Sequence, residues 1–200
     1  MAQLILASHS PRRRELLSVL GVNFTVSGAD IDETVQPGEL ADAYVSRLAV
    51  EKAEAVHARQ AAGDLWVLGS DTTVVAGEEI LGKPCDEADF SRMMNLLSGR
   101  DHRVLTSVAL VSGNQVFVDC VETRVRFINL SKQQIAAYWK TGEPKDKAGG
   151  YGIQGLGSVF VEKIEGSYTA VVGLPLHETA KLLGQADVPV WNGQLKMADI

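Results

Sequence analysis

Cysteine is scarce: Cys85 and Cys120 are the only two in 200 residues, and they share no motif spacing. That excludes a disulfide-built scaffold and a cysteine metal cluster, and both are read as reduced, partly buried small residues. No apolar run approaches the ~18–20 residues needed to cross a bilayer. The opening MAQLILASHSP lacks the basic start and the apolar length of a secretory signal, so a cytoplasmic protein without a membrane partner is expected. Positive charge is not in excess either, since 19 Lys and Arg against 25 Asp and Glu leave a net charge of −6. A nucleic-acid polymer is held by a broad basic face and is excluded as a partner, whereas a small basic pocket is not. His9, His57, His102 and His177 have no spacing that forms a metal site or a triad and are read as structural.

What is present suits one domain, or two lobes sharing a core, with 46% apolar residues to fill it. Strand-like and helix-like apolar periods alternate almost throughout. That predicts an α/β fold. LILA at residues 4–7 reads as a buried strand feeding a helix that stops at Gly21, and VNFTV as the next strand. After the acidic turn ADIDET, a long helix is expected from about Glu39 to Ala62, closed by Gly63. LWVLGSDTTVVA reads as strand, break, strand, with EEILGKP following a tight turn at Gly77 and Glu78. Asp86 caps a helix through Leu97, and residues 102–112 and 115–128 form a hairpin about Gly113 and Asn114. Ser131 and Gln134 make a capping box for a helix ending near Thr141. AGGYGIQGLG then leads into two strands turning at Glu165 and Gly166, and Pro175 starts a last helix ended by Gly184. Residues 1–184 thus read as one domain and 185–200 as an irregular tail.

Several charges fall on faces expected to be buried. Ser10 reads as an N-cap and Pro11 as the first helical residue, so Arg12, Arg13 and Arg14 crowd the positive end of a helix. Each cation is disfavoured there by ~0.3–1 kcal/mol. At ~100° per residue, Leu16, Leu17, Val19 and Leu20 define an apolar arc that contains Arg12 and Arg13 but not Arg14. Either that pair snorkels or meets local carboxylates, or a bound anion satisfies guanidinium donors, free N–H groups and dipole together. In the long helix Tyr44, Val45, Leu48, Ala49, Ala55 and Val56 make an apolar stripe that also takes in Lys52. Lysine is almost never fully buried without a partner, so Lys52 either escapes past the stripe's edge or faces a polar cleft. Carboxylates are at hand in Asp71, within GSDT at the end of an apolar strand, and in Asp30, Asp32 and Glu33 of the acidic turn. For Asp71 turn cap, metal ligand and base are all open. Such bases and acids gathered in one cleft are what Mg²⁺-assisted chemistry on a polyphosphate requires.

Two motif matches fail on context. GEEILGKP fits G-x-x-x-x-G-K, but Pro84 stands where a P-loop has Ser or Thr and no helix opens at the loop. GYGIQG fits G-x-G-x-x-G, yet it precedes a strand instead of following one, which rejects a dinucleotide fingerprint.

The segments together resemble the Maf family of nucleoside triphosphate pyrophosphatases, the septum-formation inhibitor-like proteins. The likeness extends to about Gly184 and rests on LILASHSPRR, ADIDE, RLA-EKA at 47–53, GSDT, GKP, LSG at 97–99, KAGGYGIQG and VVGLP, in that order. It implies a Maf/ITPase-like α/β fold, a central mixed twisted sheet flanked by helices with two lobes around a nucleotide-binding cleft. It also implies hydrolysis between the α- and β-phosphates, giving nucleoside monophosphate and pyrophosphate with Mg²⁺ or Mn²⁺ as cofactor. By the same resemblance Asp71 is the catalytic proton acceptor and, with Glu33, a candidate metal contact. Ser8, Arg12, Arg13, Lys52 and Lys83 become candidate phosphate contacts, and Glu33 a metal or substrate contact. Arg12, Thr72 and Gln154 hold positions that separate branches, and here they resemble the branch acting on dTTP, UTP and modified pyrimidine nucleotides, a house-cleaning activity. The branch preferring 7-methyl-GTP has an aromatic residue where this chain has Arg12. Gln154 offers an amide donor and acceptor, which suits the O4 and N3–H edge of uracil or thymine. The family is commonly dimeric, so a homodimer is the expected assembly.

The rival of another class is a non-catalytic, nucleotide-binding regulator of cell division; a nucleotidyltransferase would need an acceptor alcohol. Arg12→Ala and Lys52→Ala are expected to lower activity with little loss of fold.

Overall fold

The computed structural model describes residues 3–60 and 65–194. In chain order the elements begin β1 (Gln3–Leu6), α1 (Pro11–Val19), β2 (Phe24–Val26), α2 (Ala41–His57), β3 (Leu65–Ala76) and β4 (Glu79–Leu81). They continue α3 (Glu87–Leu97), β5 (Asp101–Ser112), β6 (Gln115–Phe127), α4 (Lys132–Lys140), β7 (Val161–Glu165), α5 (Tyr168–Val172) and α6 (Leu176–Gln185). The seven strands form one mixed sheet in the order β2-β1-β3-β5-β6-β7, with β4 paired to β3. This is the α/β architecture expected. Among the described residues no helix is long and apolar enough to cross a membrane.

The chain divides into two compact units. The first comprises Met1–Asp71, Thr106–Val121 and Gly173–Ile200. Here β1 runs parallel to both β2 and β3, Leu6 standing opposite Val26 on one side and Leu68 on the other. Ser10 caps α1 by accepting from the Arg13 N–H, with Pro11 in its first turn. Leu17 and Leu20 pack with Leu4, Leu6, Leu68 and Leu183, whereas Val19 is exposed, so the apolar arc is narrower than its spacing suggested. On α2 the buried set is Tyr44, Val45, Leu48, Ala49, Lys52, Ala53 and Val56, with Ala53 rather than Ala55 facing inward.

Three differences from expectation arise in this unit. The helix ends at His57, not Ala62, because the apolar stripe runs out at Val56 and His57 Nε2 accepts the Gly113 N–H at 3.1 Å. Gly63 lies outside the described residues. GSDT does not break the strand: β3 is continuous, and Gly69 lies within it because the α2 backbone presses on it there. A Cβ on Gly69 would fall 2.1 Å from the Ala49 carbonyl oxygen, closer than any side chain tolerates. From Ala186 to Gln194 the chain is irregular yet packed, with Val188 and Val190 in the core and the Trp191 N–H donating to the Leu20 carbonyl at 2.7 Å.

The second unit comprises Thr72–Leu105 and Glu122–Val172. Its core gathers Phe90, Met94 and Leu97 of α3 with Val125, Phe127, Tyr138 and Phe160. Asp86 caps α3, and Ser131 and Gln134 form the expected capping box on α4. The second strand expected after Gly166 is instead the short helix α5. Ser167 Oγ accepts the Ala170 N–H at 3.2 Å and nucleates a turn that YTAVV alone does not announce. Cys85 is exposed, not partly buried, with its thiol toward Asp89, while Cys120 is half-buried.

His102 is structural, as expected. It is buried edge-on to Phe127 and bonded through Nε2 to the Tyr151 hydroxyl at 2.8 Å. Burial holds its pKa down at about 4, from an ordinary 6.5, with Asp101 pulling weakly the other way. A histidine depressed in the folded state contributes stability that is complete above pH 6.5 and is lost as pH falls towards 4. Acidification across that window is expected to cost about 3 kcal/mol at this group. Urea unfolding of His102→Gln between pH 7 and 4 should show that much less decline than the unaltered chain.

Candidate active site

The close approach at Gly69 places the two central charges of the first unit. Lys52 stands three residues after Ala49 on α2, and Asp71 two residues after Gly69 on β3. Their side chains meet with Nζ 2.6 Å from Asp71 Oδ1. Both are buried, at 8% and 7% exposure. The same ammonium lies 2.6 Å from Glu33 Oε1, so one cation bridges two carboxylates. Lys52 therefore does not escape past the edge of its stripe.

Glu33 is delivered by the acidic turn, which α2 holds in place. The Tyr44 hydroxyl donates to the Glu33 carbonyl at 2.9 Å, and Arg47 Nη2 to the Thr34 carbonyl at 3.2 Å. Arg47 also forms a fork on Glu39 at 2.6 and 2.8 Å, which holds that carboxyl down at about 2, and it reaches Glu51 at 3.2 Å. Asp32 serves the turn itself, accepting the Thr34 N–H, and Asp30 is exposed.

The helix-end arginines complete the group. Arg13 Nε donates to the Gly173 carbonyl at 2.9 Å, the same oxygen that accepts from Ser70 Oγ at 3.1 Å. Arg13 Nη1 lies 3.5 Å from Ser8 Oγ, which is buried and also accepts the Ser10 N–H. Burial draws the Arg13 guanidinium below its ordinary value; Asp71 opposes that, Arg12 adds to it and Glu33 opposes it. Arg12 is half-buried and Arg14 exposed, as the helical wheel implied. Burial pushes the Asp71 carboxyl up, against the pull of Lys52 and Arg13, with Glu33 adding to the rise. Lys52 and Arg13 act on the carboxylates, Arg12 lies beside Arg13, and the group stands at a helix N-terminus, an arrangement suited to a phosphate chain.

Of the residues singled out in the sequence, the structure thus gathers Ser8, Arg12, Arg13, Glu33, Lys52 and Asp71. Thr72, Lys83 and Gln154 belong to the second unit: Thr72 is half-buried next to Asp71 in β3, while Lys83 and Gln154 are exposed. Within that unit the Gly149 N–H donates to the Gly82 carbonyl at 3.0 Å, tying the Lys83 turn to the glycine-rich segment. Gly77 to Lys83 is hairpin, and α3 begins only at Glu87, which agrees with rejecting a P-loop. Sequence reasoning missed Tyr44, Arg47, Ser70 and Gly173; the last three lie in RLA-EKA, GSDT and VVGLP, where their roles in holding the site were not readable. The burial of the Lys52 ammonium between two carboxylates also makes a stability cost expected on Lys52→Ala, beyond the little loss of fold that the sequence alone suggested.

The Maf-like protein family matches residues 3–186. The chain belongs to the Maf family. Proteins named dTTP/UTP pyrophosphatase are its relatives, one from Hahella chejuensis at 56% identity over 95% of this chain and 95% of its own. Another, from Pseudoalteromonas atlantica, is 54% identical over 91% of this chain and 96% of its own. A third, from Methylobacillus flagellatus, is 50% identical over 95% and 96%. Among solved structures, the Staphylococcus aureus Ham1 protein aligns with 62% of this Maf chain and 71% of its own, at a TM-score of 0.45 and 16% identity.

Proposed function

We propose that this Maf protein is a nucleoside triphosphate pyrophosphatase that hydrolyses dTTP and UTP, and modified pyrimidine nucleotides, to the monophosphate and pyrophosphate. The observation that carries the reading is the buried Lys52 bridge between Asp71 and Glu33 beside the helix-end arginines. Relatives of near-equal length bearing the name dTTP/UTP pyrophosphatase support the substrate class.

Asp71 and Glu33 converge on the Lys52 ammonium, so the place they make already favours positive charge. Among the described residues no group of three or more His, Cys, Asp or Glu is placed to hold a metal. A carboxylate pair is nonetheless what Mg²⁺ or Mn²⁺ asks of a protein when substrate phosphates and water complete its shell. Asp71 and Glu33 would hold the ion, which supplies Lewis-acid stabilisation of charge on the phosphate oxygens. Arg12, Arg13 and Lys52, with the Ser8 hydroxyl, clamp the triphosphate. Asp71 accepts the proton of the attacking water, and its raised pKa makes it the stronger base for that task. In the second unit Lys83 is assigned to phosphate, and Thr72 and Gln154 to base selection, the Gln154 amide meeting the O4 and N3–H edge. The reading places the enzyme in the cytoplasm, without nucleic-acid polymer or membrane partner, and takes a homodimer as its assembly.

The test is pyrophosphate release from UTP, dTTP and 7-methyl-GTP, with and without EDTA. Turnover of the two pyrimidine nucleotides, abolished by chelation, is expected. Preference for 7-methyl-GTP would move the chain to the other branch. Binding without turnover of any of the three would favour the regulator.

A further inference from the structure

In the second unit the backbone after Gln154 is held by the Glu143 carboxylate, and the backbone before it by the Tyr138 hydroxyl that this carboxylate anchors. Glu143 begins a short 3-10 turn just after Gly142, whose left-handed φ of 79° swings the chain back from the end of α4. Its Oε2 accepts the Leu156 N–H at 2.8 Å, and its Oε1 accepts the Gly157 N–H at 3.1 Å and the Tyr138 hydroxyl at 2.7 Å. That hydroxyl in turn accepts the Gly152 N–H at 3.1 Å. Backbone groups two residues before Gln154 and two and three after it are therefore fixed by a single carboxylate and the phenol it holds.

The glycines of this segment fit the same picture. A Cβ on Gly155 would fall 2.4 Å from Glu143 Oε2, and one on Gly157 would fall 2.5 Å from the Tyr138 hydroxyl. The loop is shaped to receive the carboxylate. Burial works to raise the Glu143 carboxyl, but Tyr138, the two backbone donors and Lys147 outweigh it and hold it below its ordinary value. Gln154 itself stays exposed at the middle of the clamped segment.

We propose that Glu143 is a positioning residue for pyrimidine discrimination, holding the loop so that the Gln154 amide meets the base edge at a fixed place. This rests on the reading that Gln154 contacts the base. The amide can turn to present its donor and acceptor in either order, so the clamp acts on its reach. A fixed backbone lets the two-point contact to the O4 and N3–H edge form fully, and a loose one weakens it and the preference it carries. Glu143→Gln keeps the shape but turns one acceptor into a donor facing an N–H or the phenol, which opens the clamp.

The experiment is steady-state kinetics with UTP and CTP for the unaltered enzyme, Gln154→Ala, Glu143→Gln and the double variant. Glu143→Gln is expected to raise KM for UTP about tenfold, the size of one lost charge-assisted hydrogen bond, with kcat little changed. The UTP-to-CTP preference should narrow, and the double variant should discriminate no worse than Gln154→Ala alone. If Glu143→Gln keeps the normal KM and preference while Gln154→Ala loses both, Glu143 has no such role and the base reading stands. A fall in kcat with KM and preference intact would show a merely structural part and overturn the proposal. Should Gln154→Ala itself discriminate normally, the base reading is wrong and the proposal goes with it. Tyr138→Phe, which removes only the bridging hydroxyl, decides the matter by the same readouts if Glu143→Gln does not fold.

Discussion

Asp71→Asn is expected to lower kcat for UTP by about 10²–10⁴-fold while the protein stays folded. The substitution preserves volume and leaves an oxygen to accept from Lys52, which also retains Glu33 at 2.6 Å. It deletes the proton acceptor and one of the two carboxylates offered to a cation. Removing a buried charge that burial already disfavours offsets part of the lost ion pair, so the folded state should survive. A pH profile sharpens the test. With Asp71 as base, kcat/KM of the unaltered enzyme falls as pH drops through the Asp71 pKa, which burial sets above the ordinary 3.8. That acid limb should vanish in the residual activity of the variant. Pyrophosphate release and thermal unfolding, measured on the same samples, are the readouts; full turnover by a folded variant would end the role assigned to Asp71.

The parts of the site legible in the sequence were those where a charge contradicted its local pattern. Lys52 in an apolar stripe and Arg12 and Arg13 on the inner side of α1 violate amphipathic periodicity, and for Lys52 and Arg13 the violation marks a group with a buried partner. The partners were less legible, because pairing is a tertiary fact. Nothing in GSDT states that Gly69 admits the Ala49 carbonyl, and the small polar run therefore reads as a break although β3 is continuous. Gly173 contributes only a carbonyl oxygen, which no side-chain pattern can advertise, yet both Arg13 and Ser70 are oriented by it. The helix α5 was missed for a related reason. Five residues are too few to show a period, and the Ser167 cap that decides between helix and strand is a single hydrogen bond. Motif order identified the family where local physics alone left Asp71 open to three roles.

Lys52→Met carries the largest expected effect on stability. The methionine fills the aliphatic volume of the lysine stem but leaves Asp71 and Glu33 facing each other without the ammonium that lies 2.6 Å from each. Breaking a buried ion pair by removing one partner costs about 3–5 kcal/mol, mainly as an uncompensated charge. At neutral pH the urea midpoint should fall accordingly, in contrast to the mild loss that an exposed lysine would give. The deficit should depend on pH with a definite sign. Burial already raises the Asp71 carboxyl above 3.8, and losing Lys52 removes the largest opposing influence. A carboxyl raised in the folded state binds protons more tightly there than in the unfolded chain, so folding gains stability as pH falls from neutrality towards 3.8. The variant should therefore recover part of its loss near pH 5, the opposite of the acid loss expected at His102. Equal stability of Lys52→Met and the unaltered protein at neutral pH would mean that the ammonium does not hold the carboxylates together, and the charge arrangement on which the triphosphate clamp depends would have to be drawn differently.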